Sequence, residues 1–307
     1  MRDLIRRYGT GLSTIICLLT AFWLVMLVIV PNMTLFEQSF RPYLPVAEIG
    51  GPRDVYSLSN YGKVLEGSVE RSLFGIGFTI PVRVLTFTLT IWYSIVVTVI
   101  CFLLAYPLAY YMAKIANPRA LPTLILLLFV PLWVSEVLRA FAWWIILALK
   151  GPLNSLLLFI GAIEKPVRWI ADYDAVMIGL VYTYVLFMIF PIYNAISSLD
   201  RNQIEAAEDL GAPWWRIHWR IVLPHAKPGI ASGSVIVFML SAGSLLVPSV
   251  LKSPNSQWFT ETINETFNDA LDWNTASAYA FLLLILCTLF VTLAMWVFRV
   301  KLSDIAK

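Results

Sequence analysis

The sequence predicts an all-α integral membrane protein with six transmembrane helices, and three observations carry that prediction. Apolar residues fill 59% of the 307 positions and charged residues only 13%, against about 25% charged in an ordinary soluble domain. The apolar residues gather into six runs, each near the roughly 20 residues that a helix needs to cross the hydrocarbon core. The charges fall mainly between the runs and are shared unequally by alternate connections, as the positive-inside rule requires. A net charge of +3 over such a chain reflects that sidedness; no strong basic patch exists, and nucleic acid is not an expected partner.

The first run, 12–30, follows Arg2, Arg6 and Arg7 as a signal peptide would. It is longer than a normal signal core and no small-residue cleavage site follows, so it reads as a retained anchor. Residues 31–83 are rich in Pro, Gly and Ser, with "PYLP", "GGPRD" and "SLSNYG", and read as a mostly irregular outer cap within one transmembrane domain, 1–307. The remaining runs are 84–113, 121–149, 175–199, 229–251 and 275–298; only the third holds charges, Glu136 and Arg139. Inner prolines at Pro107, Pro131, Pro191 and Pro248 free backbone groups that neighbouring helices or a water-lined cavity must satisfy, so kinked, packed helices are expected. Gly229, Gly233, Ser241 and Gly243 in the fifth run predict close helix approach. Cys17, Cys101 and Cys287 all lie in apolar runs, where they act as small hydrophobes; neither a disulfide framework nor a metal cluster is readable.

With the amino terminus inside, the cytoplasmic ends and loops hold Arg2, Arg6, Arg7, Lys114, Arg119, Arg201, Arg216, Arg220, Lys227, Arg299, Lys301 and Lys307 in short segments. The other side spreads Arg41, Arg53, Lys63, Arg71, Arg83, Lys150, Lys165, Arg168 and Lys252 over longer stretches with most of the acids. Both termini are therefore expected in the cytoplasm, and with them residues 200–228.

That segment is unusually polar for this chain. Asp200 followed by Gln203 resembles a capping box, 204–210 contains good helix formers, and Gly211 supplies a stop. Pro213 suits the start of a second helix through Trp214, Ile217 and Ile221, ended by Leu223 and Pro224. Two readings fit this bent element: an amphipathic helix lying on lipid through Trp214, Trp215 and Trp219, or a docking knob in which Ala206 and Ala207, flanked by Glu205 and Glu208, let another surface approach closely.

The order Glu205, Ala206, Ala207, three residues, Gly211, nine residues, Ile221, one residue, Leu223, Pro224, placed before the penultimate span, resembles the "EAA" motif of binding-protein-dependent ABC importer permeases. "LLAYPLAYYMAK", "VPLWVSEVLRAFAWW", "KGPLNSLL", "IGLVYTYVLFMIFPIYNAISSLD" and "LPHAKPGI" look like the spermidine/putrescine-type branch. The resemblance implies the type I importer permease fold in a bacterial inner membrane, with a coupling helix that docks into a cytoplasmic ATPase subunit. It assigns that coupling to Glu205, Ala206, Ala207, Asp209, Leu210, Gly211, Ile221, Leu223 and Pro224: Glu205 would meet a basic group, the alanines would fill the cleft and Gly211 would make the corner. Two ATPase subunits, a second homologous permease chain and an extracytoplasmic substrate-binding protein are the implied partners, besides membrane lipid.

No Walker A pattern occurs, since the one Gly-Lys pair, Gly62 and Lys63, continues to Val64. ATP and Mg are therefore expected on the partner, no cofactor in this chain and no enzymatic chemistry; His218 and His225 read as exposed or capping. For the solute, Glu136 with Trp133, Trp143 and Trp144 offers a carboxylate and aromatic faces to an organic cation; alternatively Glu136 and Arg139, at i and i+3, neutralise each other. Outside, Glu261, Glu265, Asp269 and Asp272 are expected on one face of an amphipathic helix and Ile263, Phe267 and Leu271 on the other, either simply solvated or guiding a cation or a binding protein. Related permeases for opines, phosphonates, thiamine or iron complexes, and an ion-coupled secondary transporter, remain the alternatives.

Overall fold

The computed structural model describes residues 2–44, 48, 51–73 and 76–298, and the side chains of 9–44, 48, 51–67 and 80–298. The carboxyl-terminal cations Arg299, Lys301 and Lys307 lie outside the described residues. Among the described residues six stretches are long and apolar enough to cross a membrane: α1 (Gly9–Phe40), α2 (Val82–Ile115), Glu136–Phe159, Asp174–Ser197, Trp214–Ala242 and Trp273–Phe298. The chain packs as two compact units, one built from the residues up to Pro81 with Ile263–Leu283, the other from Val82–Thr262 with the chain from Leu284 onward.

In the first unit α1 continues past its expected end at residue 30. Val25–Ile29 form a π-helical turn and Pro31 stands at the start of the resumed α-helix, where no N–H is needed. The outer segment is also more ordered than its composition implies. It contains a helical turn, Ser59–Gly62, continued by a 3₁₀ turn at Lys63–Leu65, and an antiparallel hairpin of β1 (Ser68–Leu73) and β2 (Ile76–Pro81), with Ser68 opposite Pro81 and Leu73 opposite Ile76. Buried Asn60 closes the end of α1 by donating Nδ2 to the carbonyls of Ser39 at 2.9 Å and Arg41 at 2.8 Å.

In the second unit the expected third span is broken. An apolar helix, α3 (Leu121–Trp133), ends in a 3₁₀ turn containing Pro131, and Val134 and Ser135 are extended before α4 (Glu136–Leu147) begins. The apolar run therefore reads as one span in hydropathy, but Pro131 cannot continue the helical ladder. A second break at Ala148 separates α4 from α5 (Pro152–Phe159). There Asn154, buried, donates to Val167 O at 2.9 Å and accepts from the Val167 N–H and the Trp169 indole, both at 3.1 Å.

The core of this unit is formed by α2, α6 (Asp174–Ser197) and, after the short α7 (Arg201–Asp209), α8 (Trp214–Ala242). Lipid gives helices little hydrophobic reason to associate, so close packing and small residues must do it. A Cβ on Gly229 would strike the Pro191 carbonyl and Ala195, and one on Gly233 would strike Met188, so α8 meets α6 backbone to backbone. On α2, Thr86, Thr90, Ser94 and Thr98 return their hydroxyls to the carbonyl four residues earlier at 2.7–3.0 Å, which removes their need for water.

The fifth span differs from its expected 229–251. It begins at Trp214, runs through a π-helical turn at His218–Val222 and stops at Ala242 with Gly243 as cap; Leu246–Leu251, which holds Pro248, is a separate short helix, α9. Pro224 thus terminates nothing. It follows the π turn at the start of the resumed α-helix, where its missing N–H leaves no partner unmet. After α9 come α10 (Phe259–Asn268) and the last span, α11 (Trp273–Phe298).

Candidate functional site: a cornered polar segment and an intramembrane cluster

Asp200 caps α7 by accepting from the Asn202 N–H at 3.0 Å. The reciprocal bond of a capping box from Gln203 is not among those of the described residues. At the other end Gly211 adopts φ +73°, while its N–H reaches Glu208 O at 2.8 Å and the Ala212 N–H reaches Ala207 O at 3.0 Å. These two bonds and the left-handed glycine are a Schellman stop. Pro213 is the cap residue of α8 and not its first helical residue.

The corner presents two faces. Ile204, Ile217 and Val222 are buried, and Ala207, Ala212, Ile221 and Leu223 are half-buried against the same core. Outward stand Glu205, Ala206, Asp209, Leu210 and Pro224, with Leu210 88% and Trp214 75% exposed. Glu205 pairs with Arg201 at 2.9 Å, both side chains being more than half exposed. Such an i, i+4 pair contributes only about 0.3–0.5 kcal/mol, so a basic group on another surface can replace Arg201 at little cost.

Three bonds fix the corner to the spans. Lys114 Nζ, at the end of α2, donates to the Leu199 carbonyl. His218 Nδ1 bonds the Tyr106 hydroxyl at 2.6 Å, its ring lying 4.4 Å from that of Tyr110. Ser198 Oγ meets His225 Nε2 at 3.0 Å. His218 is therefore a half-buried strut between α8 and α2, not the exposed or capping residue expected. Lys114 was named in the sequence only for sidedness, and Tyr106 and Tyr110 were not singled out, because nothing in an apolar run marks which aromatic will face a histidine 112 residues later.

Within the membrane-spanning region Glu136 is the first residue of α4, and its Oε1 accepts the Tyr184 hydroxyl at 3.0 Å. Ser244, in the break between α8 and α9, and Arg139 also lie beside Tyr184. Arg139 makes no ion pair with Glu136 among the described residues, and its Nε and Nη1 are buried without a hydrogen-bond partner. The expected self-neutralising pair is therefore absent. Of the aromatic residues expected with Glu136, Trp133 is 75% exposed and Trp144 47%. Trp143 sits edge-on to Tyr182 at 5.5 Å, about 10 Å along α4 by helical rise.

The expected outer acidic face is also not formed. Glu261, 2% exposed, accepts the Trp258 N–H at 2.9 Å and pairs with Lys252 at 3.1 Å, which makes it the reciprocal half of a cap on α10. The helix stops at Asn268, and Leu271 turns away with φ +53°. Asp272 caps α11, accepting the Thr275 N–H at 3.0 Å and Lys63 Nζ at 2.8 Å. Two of the four acids are thus used in caps; Asp269 is exposed and Glu265 half-buried.

Broken apolar helices with a polar corner hydrogen-bonded to them make an arrangement suited to a membrane permease. The chain belongs to the family of binding-protein-dependent transport system inner membrane components, which it matches over residues 2–300. It is 30% identical to the spermidine/putrescine transport system permease protein PotB of Salmonella typhimurium strain LT2 over 287 residues, covering 92% of this chain and 94% of the relative. It is 31% identical to PotB of Escherichia coli K12 over 251 residues, covering 82% and 85%. Among solved structures, a bacterial ABC transporter that imports the acidic polysaccharide alginate superposes with a TM-score of 0.66 at 18% identity, over 97% of each chain. That likeness shows the fold, the one of ABC importer permeases. The protein is thus a multi-pass permease subunit of an ATP-driven importer, and its family implies an ATPase and a substrate-binding protein as partners.

Proposed function

We propose that this chain forms half of the translocation path of a polyamine importer and drives it through the corner at Gly211. Both termini and the corner lie in the cytoplasm, and the outward face of Glu205, Ala206, Leu210 and Trp214 enters a cleft of one of two ATPase subunits, which carry ATP and Mg. A second homologous permease chain completes the path, and an extracytoplasmic binding protein delivers the solute. The observation that carries this reading is the set of bonds through which His218 and His225 tie the corner to α2 and to the end of α6, with Lys114 joining those two spans beside it. A displacement at the tip must move the spans. Exposed Leu210 and Trp214 supply the apolar contact, and Glu205 the exchangeable charge.

Polyamine as the solute is supported by the names of relatives about 30% identical over most of the chain. Glu136, with one carboxylate oxygen held by Tyr184, is the acceptor that an ammonium would use. One observation favours a second reading. A protonated polyamine carries only N–H donors, so it leaves Arg139 Nε and Nη1 unmet, whereas a solute with a carboxylate would satisfy them.

The test is ATPase activity of the purified complex in lipid, with its binding protein loaded in turn with putrescine, spermidine and an anionic organic solute. Stimulation by a polyamine supports the first reading, and stimulation only by the anionic solute replaces it with the second. Glu205→Arg and Gly211→Trp should leave insertion intact and separate hydrolysis from uptake; normal uptake in both would remove the corner from the mechanism.

A further inference from the structure

We propose that a groove between α2, α4 and α6 binds an acyl chain of a phospholipid whose headgroup carries a primary ammonium. The groove has a volume of about 610 Å³ and almost entirely apolar walls. Its floor is one stripe of α6 from Asp174 to Val185, including Val181 and Tyr182, at the three- and four-residue steps of a single helix face. At about 1.5 Å per residue this stripe is roughly 16 Å long, the depth of one leaflet of a hydrocarbon core about 30 Å thick. Trp143 and Tyr182, ring centroids 5.5 Å apart, both line the groove.

The mouth is chemically different from the floor. Asp174 is exposed in the first turn of α6, and Trp169, five residues upstream in a 3₁₀ turn, lines the same opening. A tryptophan and an acid at this height match the membrane interface, where an indole sits at headgroup level. A carboxylate beside an aromatic face attracts an ammonium, and only a primary ammonium also donates hydrogen bonds to the carboxylate. Glycerol or choline headgroups lack that combination, and the anionic charge of the former is repelled by Asp174. A favourable helix dipole accounts for an acid in the first turn, but not for an apolar channel of leaflet depth beneath it.

The assembled transporter, purified in detergent with its partner subunits, would be offered phosphatidylethanolamine, phosphatidylcholine and phosphatidylglycerol, each bearing a photoreactive group on one acyl chain. Cross-linked peptides would then be mapped. Labelling of residues 177–185 by the ethanolamine lipid should exceed that by the glycerol lipid by about fivefold, the scale of a part-exposed ion pair. Asp174→Asn should abolish this preference while Asp174→Glu keeps it, and Val181→Trp should exclude all three lipids without changing basal ATPase activity. Equal labelling by all headgroups, an undiminished preference in Asp174→Asn, or a cross-link from a second permease chain in place of lipid would each overturn the proposal.

Discussion

Tyr184, midway along α6, donates its hydroxyl to Glu136 Oε1 at 3.0 Å, and this bond holds the start of α4 where the third apolar run is broken. Losing the donor leaves a half-buried carboxylate oxygen unmet, which costs about 1–3 kcal/mol. Tyr184→Phe is therefore expected to lower the thermal unfolding midpoint of the purified protein. Glu136→Gln, whose amide oxygen still accepts from Tyr184, should lower it less. Equal losses in the two variants, followed by tryptophan fluorescence, would show that the bond contributes nothing.

Gly211 adopts φ +73° with nothing within 4 Å of the place a Cβ would occupy, so its requirement is conformational and not steric. A β-branched residue in this region costs about 1–2 kcal/mol, while asparagine tolerates it. Gly211→Val should impair uptake more strongly than Gly211→Asn, with insertion unchanged in both. Identical uptake by the two variants would mean that the corner geometry is irrelevant to coupling.

How much of this was legible in the sequence depends on the range of the interaction. The number of spans follows from hydropathy, and the Gly211 corner from residues that are neighbours in the chain. Breaks inside apolar runs were harder to place. Pro131 does end a helix, whereas Pro224 does not, because a π-helical turn at His218–Val222 precedes it. The acidic pattern of 261–272 fitted a helical face, but Glu261 and Asp272 were taken by the backbone N–H groups of Trp258 and Thr275. The Tyr106–His218 bond joins residues on separate spans, and no local pattern announces it.

The contact between α6 and α8 sets a steric prediction. Gly229 faces the Pro191 carbonyl directly, whereas Gly243 caps α8 in an ordinary backbone conformation and meets only the Met239 carbonyl of its own helix, at 3.1 Å. Gly229→Ala should destabilise by about 1–3 kcal/mol through overpacking, and Gly243→Ala by less. Thermal unfolding in a mild detergent distinguishes them, and a neutral Gly229→Ala would mean that the helices separate easily.

Burial alone would push the Asp272 carboxyl up, but hydrogen bonds from Lys63 Nζ and from the Thr275 hydroxyl and N–H outweigh it and hold the group below the ordinary aspartate value. Because the folded state favours the ionised form, the stabilisation is fully present above the ordinary value of about 4 and is lost as pH falls through the lowered one. Removing the cation with Lys63→Met takes away a hydrogen bond and its charge attraction, so the loss should begin at higher pH in the variant. The readout is protection of the Thr275 amide, which donates to Asp272 Oδ1 at 3.0 Å, against hydrogen exchange between about pH 3 and 7, corrected for intrinsic rates. An unchanged pH midpoint in Lys63→Met would assign the depressed carboxyl to Thr275 alone.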